Sequence, residues 1–168
     1  MSPTPTVWML PLNTRDGVFT ASYSATGLCG LSFPGQIVAV SGDVGMDPPR
    51  KIKTWHRLTE SAVNHVLEGV GVGAFPPFDL DCGTPFQQKV WAALQTIELG
   101  STKSYGEIAR VIGQPAAMRA VGGACGANPV PLLIPCHRVL AVGRKIGGFS
   151  GGIDWKKTLL KREGITFA

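Results

Sequence analysis

The chain has 168 residues, of which 44% are hydrophobic and 16% are charged, and this composition excludes an intrinsically disordered protein. The charge is uneven, because residues 1–100 carry 6 Lys/Arg against 8 Asp/Glu and residues 101–168 carry 10 against 3. The excess of basic residues after residue 100 predicts a polyanionic partner for the C-terminal part, or else a basic surface that is only solvated.

The N-terminal part alternates apolar and polar residues around glycine turns. Over residues 16–43 this pattern predicts two or three antiparallel strands joined by hairpins. Residues 54–70 then predict one helix that ends at Gly69. The next segment, residues 71–83, is rich in Gly and Pro and predicts a domain boundary near residues 74–83.

Two capping boxes mark helix starts in the C-terminal part. The first, at residues 84–87 with proline at the first helical position, predicts a helix over residues 85 to about 96. The second, at residues 104–107, opens a short helix that stops at Gly113. A turn leads into another short helix over residues 116–128, and the two form a helix-turn-helix pattern. Many such helical pairs bind nothing, so the pattern alone assigns no function.

The second of these short helices has one bare face. Its predicted packing face repeats at i, i+3, i+4 and i+7 and consists of Ala117, Ala120, Val121 and Ala124. The opposite face consists of Arg119, Gly122, Gly123 and Gly126. Three glycines cost a helix about 3 kcal/mol relative to alanines. They allow close packing either against another helix of the same protein or against an external partner, and the basic charge of this part favours the partner.

A thiol and an imidazole stand side by side at the end of an apolar run. The run covers residues 128–139 and reads NPVPLLIPCHRV, which predicts a buried strand that ends with Cys136 and His137. A cysteine on an apolar strand is usually a small core residue. The adjacent histidine changes this expectation, because a nearby imidazolium draws a thiol toward the reactive thiolate.

The four cysteines follow no metal or disulfide pattern. Cys29, Cys82, Cys125 and Cys136 are scattered without a CxxC pair, which favours a reducing compartment. No apolar run approaches the roughly 20 residues that cross a bilayer, and the N-terminus lacks the basic and apolar regions of a signal peptide. We therefore expect a cytoplasmic protein, or a nuclear one in a eukaryote, with no membrane partner.

Five motifs of the C-terminal part resemble one known family. They are SYGEIA, RAVGGA, NPVPLLIPCHRV, GGFSGG and LLKREG. Their order and spacing are similar to those of the O6-alkylguanine-DNA alkyltransferases, also called methylated-DNA–protein-cysteine methyltransferases. The resemblance is strong from about residue 84 to residue 164 and weaker in the N-terminal part, where TGLCGLSF resembles strands of the family's small N-terminal domain.

The resemblance implies an α/β (α+β) fold with two domains. A small N-terminal antiparallel sheet domain with a helix, ribonuclease H-like, is expected over residues 1–80. A mostly helical DNA-binding and alkyltransferase domain, which contains the helix-turn-helix, is expected over residues 81–168.

The resemblance also implies a catalytic role for each of five residues. Cys136 matches the nucleophile that takes an alkyl group from O6 of guanine onto its sulfur. His137 matches the base that accepts the thiol proton through a water, and Glu163 matches the acid that orients the histidine, so the three resemble a hydrolase triad. Asn128 matches the residue that ties the turn before the active-site strand. Tyr105 matches the phenol that assists the leaving guanine, although its place at a helix start also suits a core aromatic.

Helical periodicity gives Glu163 separate support. Trp155, Leu159 and Glu163 fall at i, i+4 and i+8 and so share the inward face of the last predicted helix. Glu163 also lies in the final turn, where the helix dipole disfavours an anion. A buried partner such as His137 would resolve this conflict. The alternative is an exposed glutamate paired with a lysine or an arginine.

The family resemblance further implies how DNA and the target base are held. Arg119 matches the residue that fills the gap in the base stack when the target nucleotide is flipped out. The minor groove is only about 6 Å wide, and a strip of Ala and Gly with one arginine wedge suits it. The residues expected to contact DNA are Arg119, Ala117, Gly122, Gly123, Ser104 and Tyr105. The residues expected to line the guanine pocket are Pro131, Val139, Phe149 and Ser150, together with the Cys136 carbonyl.

The expected function is DNA repair by a protein that acts once. Alkyl transfer to a thiol gives a thioether, which offers water no electrophile, and no second nucleophile or cofactor motif is visible to remove it. The expected partner is double-stranded DNA that contains O6-alkylguanine, bound by a monomer without a cofactor.

Three alternatives come from other classes of protein. A non-catalytic reader of alkylated DNA would commonly have tryptophan in place of Cys136. A helix-turn-helix transcription factor would need a polar recognition helix, and this one offers a single arginine. A cysteine hydrolase is the third alternative.

Three features depart from the family pattern. Phe149 stands where many members have tyrosine, and the pocket loop AVGRKIGG is more basic than usual. Some relatives bind a structural zinc in the N-terminal domain, for which only Cys29 with the distant His56 and His65 is present here. We expect no metal.

Overall fold

The computed structural model describes residues 5–38 and 47–168 of the chain. The N-terminal part contains β1 Trp8–Thr14, β2 Gly17–Tyr23, β3 Leu28–Ser32 and α1 Arg50–Glu68. The C-terminal part contains α2 Pro85–Leu94, β4 Lys103–Ser104, α3 Tyr105–Val111, α4 Met118–Gly126, β5 Val139–Leu140 and α5 Ile153–Arg162. Two short 3-10 helices, Cys136–Arg138 and Val142–Arg144, flank β5. The predicted α+β class, with a small antiparallel sheet followed by a mostly helical part, is confirmed.

The N-terminal sheet begins earlier than the sequence pattern indicated. Its order is β1-β2-β3, and Thr14 pairs with Gly17 across a two-residue turn. The first strand, β1, precedes the predicted segment at residues 16–43. The sequence pattern did not reveal it, because Pro11 interrupts the alternation of apolar and polar residues. Proline is tolerated in β1 since that strand lies at the edge of the sheet. The end of the predicted segment, residues 39–43, lies outside the described residues.

The helix α1 packs on the sheet through an apolar face. It begins at Arg50, four residues earlier than predicted, and it ends as predicted with Gly69 in the left-handed conformation (φ 70°). The Tyr23 hydroxyl of β2 lies 3.0 Å from Nδ1 of His56 in this helix. The buried residues of α1 are Ile52, Thr59, Ala62, Val63, Val66 and Leu67.

The helix α2 begins where the capping box predicts. The Thr84 side chain accepts a hydrogen bond from the Gln87 N–H (3.2 Å), and the Gln87 side chain accepts one from the Thr84 N–H (2.9 Å). The helix ends two residues early, in a turn where the Thr96 hydroxyl donates to the Ala93 carbonyl (2.7 Å).

One continuous hydrophobic core joins the two parts of the chain. Phe19 and Phe33 both contact Trp155 of α5, with ring centroids 5.5 and 5.2 Å apart. The Leu31 N–H of β3 donates to the Pro129 carbonyl (2.9 Å), so the sheet contacts the segment that leads to the Cys–His pair. Within the part of the chain that the structure describes, no helix is long and apolar enough to span a membrane.

Candidate active site

The predicted active-site strand is wrong, because residues 128–135 form turns and Cys136 begins a 3-10 helix. Three prolines in this segment remove backbone donors that a central strand would need, and Leu132 is left-handed (φ 73°). Only β5 is extended, and it pairs in parallel with β4 at the start of α3. A tight turn therefore presents the thiol.

The buried Asn128 side chain holds these turns together. Its Nδ2 donates to the Ile134 carbonyl (2.8 Å), and its Oδ1 accepts from the Val130 N–H (3.0 Å). The Cys136 N–H donates to the same Ile134 carbonyl (2.8 Å). The hydrogen bonds of Asn128 therefore tie together the turns that lead to Cys136.

A cavity of about 430 Å³ opens beside Cys136. Its lining residues are Tyr105, Gly122, Cys125, Gly126, Cys136, Gly148, Phe149 and Ser150. Phe149 and Ser150, which the resemblance implied for the guanine pocket, are among these lining residues. Pro131 and Val139, which were also predicted, are not among its lining residues, and both are buried. The Val139 carbonyl accepts a hydrogen bond from Lys156 (2.6 Å).

The thiol and the imidazole are both neutral at rest. Burial raises the pKa of the Cys136 thiol, and a hydrogen bond from Asn128 opposes this shift only in part. Burial also lowers the pKa of the His137 imidazole, against the opposing influence of Glu163. The expectation of an imidazolium that draws the thiol toward thiolate is therefore wrong for the resting site. The thiol proton has to leave before the sulfur can react.

The imidazole is paired with a fully buried carboxylate. His137 Nε2 lies 2.8 Å from Glu163 Oε1, so Glu163 faces inward as the helical periodicity indicated and contacts the partner that the family resemblance implied. Burial alone would raise the pKa of Glu163, but hydrogen bonds from His137 and Arg138 lower it to about 2. Because an ionised carboxylate only accepts hydrogen bonds, we assign the imidazole proton to Nε2. His137 Nδ1 is then the basic nitrogen, and among the described residues it has no hydrogen-bond partner.

Arg138 is a further member of this cluster that the sequence reasoning missed. Its Nε donates to Glu163 Oε2 (2.9 Å) and its Nη2 to Oε1 (3.0 Å), while Nη1 donates to the Ile97 carbonyl (2.6 Å). The bidentate pair gives the anion a cationic partner at the end of α5, where the helix dipole alone would disfavour it. The position of Arg138 directly after His137 in the sequence could have identified it as a member of this cluster.

Lys156 is a second residue that the sequence reasoning missed. Its side chain is fully buried, and its Nζ donates to the Val139 carbonyl (2.6 Å) and the Gly148 carbonyl (3.2 Å). Burial lowers the pKa of this lysine to about 8. Through these two hydrogen bonds, Lys156 ties the cavity-lining loop at Gly148 to β5. Lys156 precedes Leu159, Leu160 and Glu163 at the helical spacing of a buried stripe, and that spacing could have revealed it.

Tyr105 begins α3 and reaches into the cavity. The Ser104 hydroxyl accepts from the Glu107 N–H (3.1 Å), and the Glu107 carboxylate accepts from the Ser104 N–H (2.7 Å), so the predicted capping box is complete. The Tyr105 hydroxyl lies so near Gly147 that a Cβ there would be 2.8 Å away. Burial raises the pKa of Tyr105, which keeps the phenol protonated and able to donate.

The surface of α4 differs from the predicted one at Ala120. This alanine was expected to pack inside but is exposed, and Cys125 is buried in its place. The site residue Ala117 is half-buried, and Arg119 is exposed. The bare face packs against no other element of the part of the chain that the structure describes. A Cβ at Gly123 or Gly126 would meet nothing within 4 Å, and one at Gly122 would meet only the Tyr105 ring at 4.0 Å.

The described residues contain no group of three His, Cys, Asp or Glu side chains that could hold a metal ion. His56, which the sequence named as a remote zinc candidate, already has close partners. Its Nδ1 lies 3.0 Å from the Tyr23 hydroxyl, and its Nε2 lies 3.1 Å from the Pro11 carbonyl.

Residues 85–165 match the family model described as 6-O-methylguanine DNA methyltransferase, DNA binding domain. The methylated-DNA–protein-cysteine methyltransferase of Mycolicibacterium paratuberculosis is 51% identical over 94 residues, which cover 54% of this chain and 57% of that protein. The chain thus spans a little over half the length of this curated relative.

Solved structures match over nearly the whole chain. The crystal structure of Mycobacterium tuberculosis OGT in complex with DNA has a TM-score of 0.77 and 35% identity, and the match covers 94% of this chain and 92% of that one. The O6-methylguanine-DNA methyltransferase of Pyrococcus kodakaraensis has a TM-score of 0.65 and 26% identity, with coverage of 95% and 99%.

Proposed function

The chain belongs to the 6-O-methylguanine DNA methyltransferase family, and from this premise we propose that it repairs DNA by moving the alkyl group of O6-alkylguanine onto its own Cys136. One observation carries the proposal. A buried thiol lines a cavity, and the adjacent His137 is held by the ionised Glu163. This arrangement supplies a nucleophile, a base and a fixed orientation for the base.

The reaction needs one proton to leave the thiol and one to reach the guanine. His137 accepts the thiol proton at Nδ1, and Glu163 stabilises the imidazolium that forms. The sulfur attacks the alkyl carbon, the S–C bond forms and the C–O6 bond breaks. The guanine leaves as an anion that accepts a hydrogen bond from the Tyr105 hydroxyl and takes up a proton from water, and the His137 imidazolium releases the thiol proton to water.

The product explains why we expect one reaction per molecule. A thioether has no electrophilic centre for water to attack, unlike the thioester of a cysteine hydrolase. Cys125 also lines the cavity, but burial raises the pKa of its thiol to about 12 and a thiol does not reverse thioether formation. Each protein molecule is therefore inactivated by the alkyl group that it takes from the DNA.

The partner that we propose is double-stranded DNA containing O6-alkylguanine. The target atom of a stacked base cannot reach a buried thiol, so the nucleotide has to be flipped out. The bare face of α4 allows close approach to the minor groove, Arg119 replaces the flipped base in the stack, and Ala117, Gly122, Gly123, Ser104 and Tyr105 contact the DNA. The Mycobacterium tuberculosis relative was crystallised in complex with DNA, which supports this partner.

The remaining assignments follow from the same proposal. We propose an N-terminal domain over residues 1–80, a C-terminal domain over residues 81–168, and a monomer that works without a cofactor. The cytoplasm, or the nucleus of a eukaryote, is the compartment where such a substrate is found.

Intact mass after incubation with O6-methylguanine duplex tests the proposal. We expect a gain of one methyl group per molecule, located on the peptide that contains Cys136. Cys136→Ala should abolish the gain, and Cys82→Ser, which changes an exposed thiol, should retain it. Multiple turnovers by one molecule would contradict the proposal, and tight binding without any gain in mass would favour the non-catalytic reader.

A further inference from the structure

Arg162, the last residue of α5, is bound by the N-terminal part of the chain. Its Nη1 and Nη2 donate to the two carboxylate oxygens of Asp16 (2.7 and 2.8 Å), and Nη1 also donates to the Leu67 carbonyl (2.9 Å). Asp16 lies in the turn between β1 and β2, and Leu67 lies in the last turn of α1. Two elements that are distant in sequence therefore converge on one guanidinium.

Both of these elements are fixed by their own contacts. In the β1–β2 turn, the Asp16 N–H donates to Thr14 Oγ1 (3.1 Å), and the Thr14 hydroxyl donates to the Gly17 carbonyl (2.7 Å). At the end of α1, Gly69 is left-handed, and a Cβ there would collide with the Arg162 carbonyl oxygen. The end of α5 is therefore held through the side chain and the backbone of Arg162.

Glu163 follows Arg162 directly, and its side chain contacts His137 and Arg138. We call the series Cys136, His137 and Glu163 the relay. Glu163 lies where the hydrogen-bond ladder of α5 ends, and helix ends open most easily. The Glu163 N–H donates to the Leu159 carbonyl (3.0 Å), and Gly164 turns the chain immediately afterwards (φ 72°). The Gly164 N–H donates to the Lys161 carbonyl (3.0 Å) and the Ile165 N–H to the Leu160 carbonyl (2.9 Å), so the residues on both sides of Glu163 are tied to the last turn of α5, and the position of this carboxylate follows the position of that turn.

We propose that Asp16 is a positioning residue for the relay, because its ion pair with Arg162 fixes the end of α5 and so the distance between Glu163 and His137. This inference rests on the proposed alkyl transfer, since Glu163 has this task only if His137 is the base. It gives the N-terminal part a role in the chemical step, although none of its described residues lines the cavity. The hydrogen bond from Arg162 lowers the pKa of Asp16, so the pair stays charged at neutral pH.

The test compares the full-length Asp16→Asn variant with the wild type in the reaction with free O6-benzylguanine. The amide keeps the shape of the carboxylate but loses its charge and one acceptor, so we expect a transfer rate constant about tenfold lower. The half-saturating concentration should not change, because the cavity lining is untouched. The acid limb of the pH–rate profile should move to lower pH, because a displaced Glu163 supports the imidazolium less.

Arg15→Ala is the matched control, because Arg15 lies in the same turn but its exposed guanidinium forms only a long ion pair with Asp16 (3.9 Å) and no hydrogen bond. This variant should retain the wild-type rate. If Asp16 acts through Arg162, the double variant Asp16→Asn/Arg162→Ala should be no slower than Arg162→Ala alone. Asp16→Glu, which keeps the charge, should lie between Asp16→Asn and the wild type, and it replaces Asp16→Asn if that variant does not fold.

An Asp16→Asn rate and pH profile equal to those of the wild type would overturn the inference. An equal loss of rate in Arg15→Ala would also overturn it. The same holds if Asp16→Asn raises only the half-saturating concentration and leaves the rate constant unchanged. If the wild type itself transfers no alkyl group to Cys136, the proposed function fails instead, so the two failures are distinguishable.

Discussion

Glu163→Gln removes the charge of the relay acid and keeps its size. The amide oxygen can still accept from His137 Nε2, which lies 2.8 Å from Glu163 Oε1 in the wild type. It no longer stabilises the imidazolium by charge, and a hydrogen bond to a charged group is about 1 to 2 kcal/mol stronger than a neutral one. Since about 1.4 kcal/mol corresponds to a factor of about ten in rate, we expect alkyl transfer to slow by about tenfold.

The same substitution should change stability in a way that depends on pH. Folding lowers the pKa of Glu163 from 4.5 to about 2, and its side chain is fully buried. This shift corresponds to about 3 kcal/mol of unfolding free energy. Because the pKa is lower in the folded state, the contribution is present above pH 4.5 and is lost as the pH falls toward 2. The stability difference between the wild type and the variant should therefore shrink over that range, as urea titrations would measure.

The rate should be measured by mass spectrometry with free O6-benzylguanine and with alkylated duplex, on protein shown to be folded. Affinity for duplex DNA should stay near that of the wild type, because a fully buried Glu163 cannot contact DNA. Asp154→Asn, an exposed change in the first turn of the same helix, is the control and should transfer normally. A Glu163→Gln rate equal to that of the wild type would refute the reasoning that His137 needs a charged partner.

The remaining predictions concern α4 and its approach to DNA. Arg119→Ala should slow the reaction with duplex far more than that with free O6-benzylguanine, and less so when the damaged base is mispaired, because an unstable pair costs less to open. Equal losses in both reactions would mean that Arg119 supports the pocket instead. Gly123→Leu should fold, because a Cβ there meets no atom within 4 Å, and should weaken duplex binding while the free-base reaction stays nearly normal. Normal duplex binding would contradict a close approach of this face, and binding that does not weaken with rising salt would contradict phosphate contacts by the basic part.

Local sequence signals predicted those features that local hydrogen bonds determine. The capping boxes at residues 84–87 and 104–107 are both complete, and Gly69 ends α1 in the left-handed conformation. In each case the interacting groups lie within five residues of one another. The helix-turn-helix and the bare face of α4 were predictable for the same reason.

Features that depend on distant partners were predicted poorly. The apolar run before Cys136 has the composition of a buried strand, yet its prolines and its contact with β3 make it a series of turns. Ala120 fits the helical period of a packing face, but within residues 5–38 and 47–168 it is exposed. Arg138 and Lys156 find their partners, Glu163 and Val139, 25 and 17 residues away. A spacing pattern can place a side chain on the inner face of a helix but does not identify the group that it meets.

The charge state of the proposed nucleophile, Cys136, is the clearest case of this dependence on distant partners. Cys136 and His137 are neighbours in the sequence, and an exposed pair of this kind would favour the thiolate. Burial keeps the thiol neutral here, and Glu163 at the other end of the C-terminal part selects the imidazole tautomer. A neutral buried thiol reacts slowly with oxidants, whose usual target is the thiolate. In a protein that we expect to react once, a thiol lost to a side reaction ends the life of the molecule. A nucleophile that is deprotonated only during the transfer, by His137, therefore suits the proposed chemistry better than a permanent thiolate would.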